Sequence, residues 1–197
     1  MPRIDPLPET ELAEFAPLFA EVRERMGFVP NSMKTMARRP EILRGFMALA
    51  QGVIGPSAIL PPDLAQLVAH VASAAAGCRY CQAHTAHVAE ARGASPEKIE
   101  AVWEHATSPR FSAPERAALA LAQAAAEVPN RAGPEHFEAA RAHFSEAQIL
   151  EIVAVVAFFG FLNRWNDTLA TELEDSPLAF AEAHLAPRGW EAGKHRG

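Results

Sequence analysis

The chain of 197 residues contains two cysteines, Cys78 and Cys81, and they stand in a CxxC pair. They open the stretch Gly77-Cys78-Arg79-Tyr80-Cys81-Gln82-Ala83-His84-Thr85-Ala86-His87, in which two histidines follow at helical spacing. Cysteine reacts as the thiolate, and unpaired N–H groups at a helix start or a neighbouring cation favour that form. Cys78 lies nearer the helix start and beside Arg79. Cys81 has His84 three residues on, so His84 can serve it as base or cationic partner. The first argument favours Cys78 as the attacking sulfur and the second favours Cys81.

Four chemistries use such a pattern. C-x2-C-x2-H-x2-H is formally a zinc ligand set, but along one helix those ligands spread over a rise of about 13 Å and cannot converge on one ion. A two- or three-ligand site completed from elsewhere is the residual metal reading, and no metal is expected. Haem attachment needs a histidine directly after the second cysteine, where Gln82 stands. A thioredoxin-like motif needs a preceding strand, and none is predicted before Cys78. A dithiol cycling on a helical scaffold, with no cofactor, is the remaining chemistry. The structural alternative is two small buried cysteines in an alanine-rich helix with histidines on its surface.

The segments around the pair read as helices throughout. Leu12, Phe15, Phe19, Val22 and Met26 recur every three or four positions over Glu9–Met26, with Pro17 delaying the regular helix. Further helices are predicted over 32–37, 40–54, 63–76, 78–91, 95–105, 112–127, 133–142 and 147–173. Ser95-Pro96-Glu97 and Ser112-Ala113-Pro114-Glu115 combine a hydroxyl cap, a fixed φ and an acidic first turn. The 63–76 segment is Leu, Val and Ala on every side and is expected at the centre. The last long segment is apolar all round from Ile149 to Leu162, which suits burial in the bundle or in an oligomer. Within it, Asn163-Arg164-Trp165-Asn166-Asp167 forms a polar and aromatic cluster, expected to mark where the helix leaves the core; the alternative is that it lines a pocket beside the dithiol. Residues 1–8 form an extended lead-in and the tail from Ser176 docks on a neighbour or frays. No stretch alternates with period two. The expected fold is a single all-α bundle, and the similar openings at Leu60–Ala65 and Phe111–Ala117 suggest an internal helical repeat.

A net charge of -6 argues against nucleic acid or an anionic membrane as partner. The first fifteen residues have no signal-type apolar core and no long uncharged apolar run follows, so a cytoplasmic location is expected. In that reducing compartment a lone CxxC serves redox or metal chemistry rather than stapling.

An alanine-rich helix running into Gly77-Cys78-Arg79-Tyr80-Cys81 with His84 beyond it, in an all-helical chain, resembles the carboxymuconolactone decarboxylase and AhpD-like alkylhydroperoxidase superfamily. The chain is most similar to its peroxidase-related branch, in which stretches like Gly27-Phe28-Val29-Pro30-Asn31 and Phe161-Leu162-Asn163-Arg164 also occur. The likeness covers roughly residues 10 to 175. It implies reduction of a small hydroperoxide, with Cys81 attacking the peroxide oxygen, Cys78 resolving the sulfenic acid, and a thiol or dithiol as electron donor. It also implies a homo-oligomer, whether dimer, trimer or hexamer.

The chain departs from the family's proton relay at two positions. A glutamate twelve residues before the first cysteine is replaced by Gln66, and a histidine four after the second by Thr85. His84, one residue earlier, takes the histidine's part. For the acid, the expected substitute is His70, oriented by Gln66 one turn earlier, since an imidazole with pKa near 6.5 suits proton transfer at neutral pH. Otherwise His70 is a hydrogen-bonded core histidine. His87 is expected at the surface or an interface. The competing functions are a redox-responsive helical oligomer with little turnover and a decarboxylase-like lyase.

Overall fold

The structure, a computed structural model, describes residues 1–197 and contains ten α-helices and no strand. Two short 3-10 turns at Glu9–Glu11 and Ala13–Phe15 precede α1 (Ala16–Met26), because Pro17 has no N–H to give and fits only the first helical turn. Gly27, at φ 81°, ends α1 in a left-handed turn that costs glycine nothing. There follow α2 (Asn31–Met36), α3 (Pro40–Ile54), α4 (Pro62–Ala75) and α5 (Arg79–Ala91).

α4 is the central element. Every residue from Leu64 to Ser73 is buried, and α5, α7 and α9 all pack against it. α6 (Pro96–Glu100) is shorter than expected and passes into a 3-10 turn at Val102–Glu104. α7 (Ala113–Ala126) begins with the capping box of Ser112 and Glu115, and α8 (Pro134–Arg141) leads to α9 (Glu146–Leu169). α4 and α7, whose openings resemble each other, lie side by side. α9 is long and apolar enough to cross a membrane, but here it packs against α3, α4, α5 and α7. One edge stays uncovered, with Leu150 at 69% and Phe161 at 41% exposure.

α9 stops four residues earlier than its periodicity suggests. Ala170 adopts a left-handed conformation, φ 50°, and the Thr171 N–H returns to the Asn166 carbonyl at 3.1 Å. The chain then runs extended through Leu173 and Glu174 into α10 (Asp175–His184). The tail docks and does not fray. Trp190 and His195 are buried, the Trp190 indole N–H donates to the Arg79 carbonyl at 3.2 Å, and the Leu173 N–H donates to the His195 carbonyl at 2.9 Å. α10 and the tail therefore brace the start of α5.

The main core surrounds α4, and a smaller one joins Phe15, Phe19, Val22, Met33, Met36 and Leu43 under the N-terminal segments. Phe46 and Leu162 pack against both, so the two cores meet. Each such buried side chain contributes roughly 1.5–3 kcal/mol.

Candidate active site

Cys78 is the N-cap of α5, and its sulfur accepts the Cys81 N–H at 3.2 Å. A thiol in that position takes the part usually played by a serine or aspartate oxygen at a helix start. Both cysteines are buried and free, with Sγ atoms 2.7 Å apart, longer than a disulfide bond of about 2.05 Å. Their environments differ. Cys81 lines a cavity of about 650 Å³, whereas Cys78 does not. The cavity wall is largely aromatic and aliphatic, with Phe28, Phe46, Phe158, Phe159, Met33 and Leu162 prominent. Burial, and next the hydrogen bond and charge of Cys78, hold the Cys81 thiol well above its ordinary pKa. The Asn166 amide, whose Nδ2–H donates to Cys81 Sγ at 3.6 Å, acts in the opposite direction.

His84 lies on the same cavity but does not hydrogen-bond either sulfur. Its Nε2 meets Glu174 Oε2 at 2.5 Å, and its ring stacks on Tyr80 at 4.3 Å and meets the edge of Phe28 at 5.6 Å. Glu174 also accepts from the Tyr80 hydroxyl, at 2.9 Å, and from the Asn31 backbone N–H. Burial opposes ionisation of Glu174, yet the His84 charge, the His84 hydrogen bond and the Asn31 N–H together bring its pKa below the ordinary carboxyl value. A carboxylate so held fixes the orientation of the imidazole. Glu174 was not predicted from the sequence. It lies 90 residues from His84 in a Glu-x-Glu segment after α9, and no local spacing marks it.

The structure corrects the expected relay through His70 and Gln66. His70 Nδ1 sits 3.1 Å from the Gln82 carbonyl and 3.0 Å from Thr85 Oγ1. Since a carbonyl only accepts, Nδ1 carries the proton. The Thr85 hydroxyl in turn donates to the Cys81 carbonyl at 2.7 Å. Gln66 makes no hydrogen bond to His70, so it does not orient that ring. Burial lowers the His70 pKa to about 4, against a smaller upward pull from the Gln82 carbonyl. The ring is therefore neutral at pH 7, is absent from the cavity wall, and braces α4 against α5. Gln66 instead lines the cavity with a side chain that hydrogen-bonds no protein group.

Two further expectations shift. His87 lies on the cavity, half-buried between Phe28 and Phe180, rather than on the outer surface. Burial, then the neighbouring His84, lowers its pKa. Of the Asn163–Asp167 cluster, Asn166 alone reaches the cavity wall. Asp167 pairs with Lys194 at 2.9 Å and so ties down the tail. No group of three metal-ligating side chains occurs.

The structure combines an all-helical fold with two cysteines at the start of a helix beside an apolar cavity. The carboxymuconolactone decarboxylase family model matches residues 40–124, from α3 to α7. The debrominase Bmp8, in its apo structure, is similar to this chain at 34% identity, over 91% of this chain and 96% of that one, with a TM-score of 0.84. A cysteine-to-alanine variant of Bmp8 in complex with 2,3,4-tribromopyrrole superposes with a TM-score of 0.85. A peroxidase-related protein with an AhpD core from Ralstonia eutropha JMP134 is 27% identical over 90% of this chain and 95% of that one, with a TM-score of 0.78. No functionally curated protein matches the sequence. The chain belongs to the carboxymuconolactone decarboxylase and AhpD-like superfamily.

Proposed function

We propose that the protein is a dithiol-dependent reductase of organic hydroperoxides, with Cys81 as the attacking sulfur and Cys78 as the resolving one. The observation that carries this reading is the asymmetry of the pair: two adjacent sulfurs, of which only Cys81 opens on the apolar cavity. Cys81 sulfur attacks the terminal peroxide oxygen, the O–O bond breaks, and the alkoxide leaves as the alcohol after taking a proton. Cys78 then displaces hydroxide from the Cys81 sulfenic acid, giving the disulfide and water. A thiol or dithiol donor restores both thiols by supplying two electrons and two protons.

His84, held by Glu174, moves the protons across the cavity. It receives the Cys81 proton and delivers it to the leaving oxygen, while Asn166 steadies the sulfur as charge develops. Burial opposes ionisation of the Cys81 thiol, so the attack needs a base to take its proton, the part assigned to His84. The uncovered stripe of α9, with Leu150 and Phe161, fits a second copy of the chain, and we infer a homo-oligomer built on it.

A second reading is favoured by the near full-length similarity to Bmp8 and by the aromatic cavity wall: reductive dehalogenation of a haloaromatic. There Cys81 sulfur takes the halogen while the ring carbon takes a proton, and Cys78 expels halide to form the same disulfide. Incubating the reduced protein with cumene hydroperoxide or with 2,3,4-tribromopyrrole separates the two. The first reading expects cumyl alcohol, a Cys78–Cys81 disulfide by mass spectrometry, and repeated turnover with dithiothreitol. Bromide release with no alcohol formed would replace it by the second, and no disulfide with either substrate would reject both.

A further inference from the structure

The cavity that receives Cys81 also reaches two arginines, Arg25 at the end of α1 and Arg92 at the end of α5, and both are exposed. Neither guanidinium makes an ion pair or a hydrogen bond; Arg3, Arg39, Arg79 and Arg110 are also without a side-chain partner, but Arg25 and Arg92 are the two arginines on the cavity. Glu21 is the one acidic side chain on the cavity wall. It forms no ion pair with Arg25 despite lying one helical turn before it, which leaves two cations against one anion. His87 adds no charge at pH 7, since burial and the neighbouring His84 lower its pKa.

Helix geometry sets the scale. Arg92 follows Cys81 by eleven residues along α5 and its cap, a rise of about 16 Å. Between the two, Phe28, Val88 and Ala91 supply apolar surface beside the polar His84, Thr85 and His87. A ligand spanning this length would have one end at the sulfur, an apolar body, and its other end at the guanidinium groups. Arginine recognises carboxylates through paired N–H donors. In a chain of net charge -6, a locally cationic mouth also concentrates anions selectively.

We propose that the site takes an amphipathic carboxylate, its apolar body in the cavity and its anionic end at Arg25 and Arg92. A long-chain fatty-acid hydroperoxide is the substrate form of this class. The inference rests on the reading of Cys81 as the reactive group, and it names the substrate of that same site.

The test uses cis-parinaric acid, a fluorescent fatty acid without a peroxide, and its methyl ester, with the full-length reduced protein. The acid should bind saturably and about tenfold more tightly than the ester. Arg25→Ala and Arg92→Ala should each reduce that preference several-fold, Arg92→Lys should retain part of it, and the double alanine variant should abolish it. Added sodium chloride should weaken the acid and spare the ester. Equal binding of acid and ester by the wild type, no binding of either, or an unchanged preference in the double variant would overturn the proposal. Probe binding needs no dithiol chemistry. Failure to reduce cumene hydroperoxide therefore counts against the proposed function, and loss of the acid-over-ester preference counts against the substrate class.

Discussion

Two buried histidines meet two faces of helix α5, His84 carried by α5 itself and His70 reaching across from α4, and they do opposite things. On the cavity face His84 sits beside Glu174, whose ionised form is favoured by its partners. On the α4 face His70 donates to Gln82 and Thr85, meets no carboxylate, and stays neutral down to about pH 4. The first arrangement sets an imidazole between a carboxylate and the cavity. The second secures two helices to each other. Burial alone does not make a catalytic histidine; a charged partner and access to the reacting atom do.

The largest effects should fall on the cavity face. Replacing Cys81 by serine should abolish hydroperoxide reduction, measured as alcohol formed, whereas Cys78→Ser should permit one oxidation and block turnover. Next come His84→Gln and Glu174→Gln, each removing part of the acid–base pair. His84→Gln should lower the rate by roughly 10²- to 10⁴-fold. Glu174→Gln should cost less, because the amide can hold the ring but cannot balance its charge. If Glu174→Gln kept full activity across pH 6–8, the two-face distinction would lose its basis.

The opposite face should answer in stability. The folded-state pKa of His70, about 4, lies below its ordinary 6.5, so the unfolded chain takes up the proton first. The stability from keeping His70 neutral is complete above pH 6.5 and is lost as pH falls toward 4. The loss amounts to up to about 3 kcal/mol in denaturant unfolding. His70→Leu should flatten that acid limb. It should cost about 1–3 kcal/mol at pH 7 by deleting the buried hydrogen bonds of His70 Nδ1 to the Gln82 carbonyl and Thr85 Oγ1. Its kcat should stay near the wild type, and a loss as large as that of His84→Gln would move His70 back into the relay.

The smallest effect concerns the turn that delivers Glu174. Ala170 is left-handed, a conformation that penalises any side chain, so Ala170→Gly should stabilise the fold by about 1 kcal/mol. That corresponds to a rise in Tm of about 2–4 °C.

The local half of this site was legible in the sequence. Cys78, Cys81 and His84 share one helical segment, and the proline and glycine signals around it bound the helix to within a residue. The all-α class and the central place of α4 followed from the same patterns. The acid was not legible, because Glu174 reaches His84 only after α9 has crossed the bundle and the chain has turned back at Ala170. One-turn spacing to Gln66 points to His70 as its substitute. Spacing specifies a shared face, not which neighbour the ring bonds to, and the Gln82 carbonyl from α5 held the ring instead. The cluster Asn163–Asp167 is a candidate lining in the sequence, but that Asn166 is the member that reaches the dithiol is not legible, since its partner sulfur is 85 residues distant.

The central claim is that Cys81, the sulfur on the cavity, is oxidised first. Cys78→Ser protein treated with one equivalent of cumene hydroperoxide in the presence of dimedone tests it, with tryptic mass spectrometry locating the adduct. The account predicts a stoichiometric dimedone adduct on Cys81. An unlabelled Cys81 in that variant, together with an adduct on Cys78 in the Cys81→Ser protein, would contradict it.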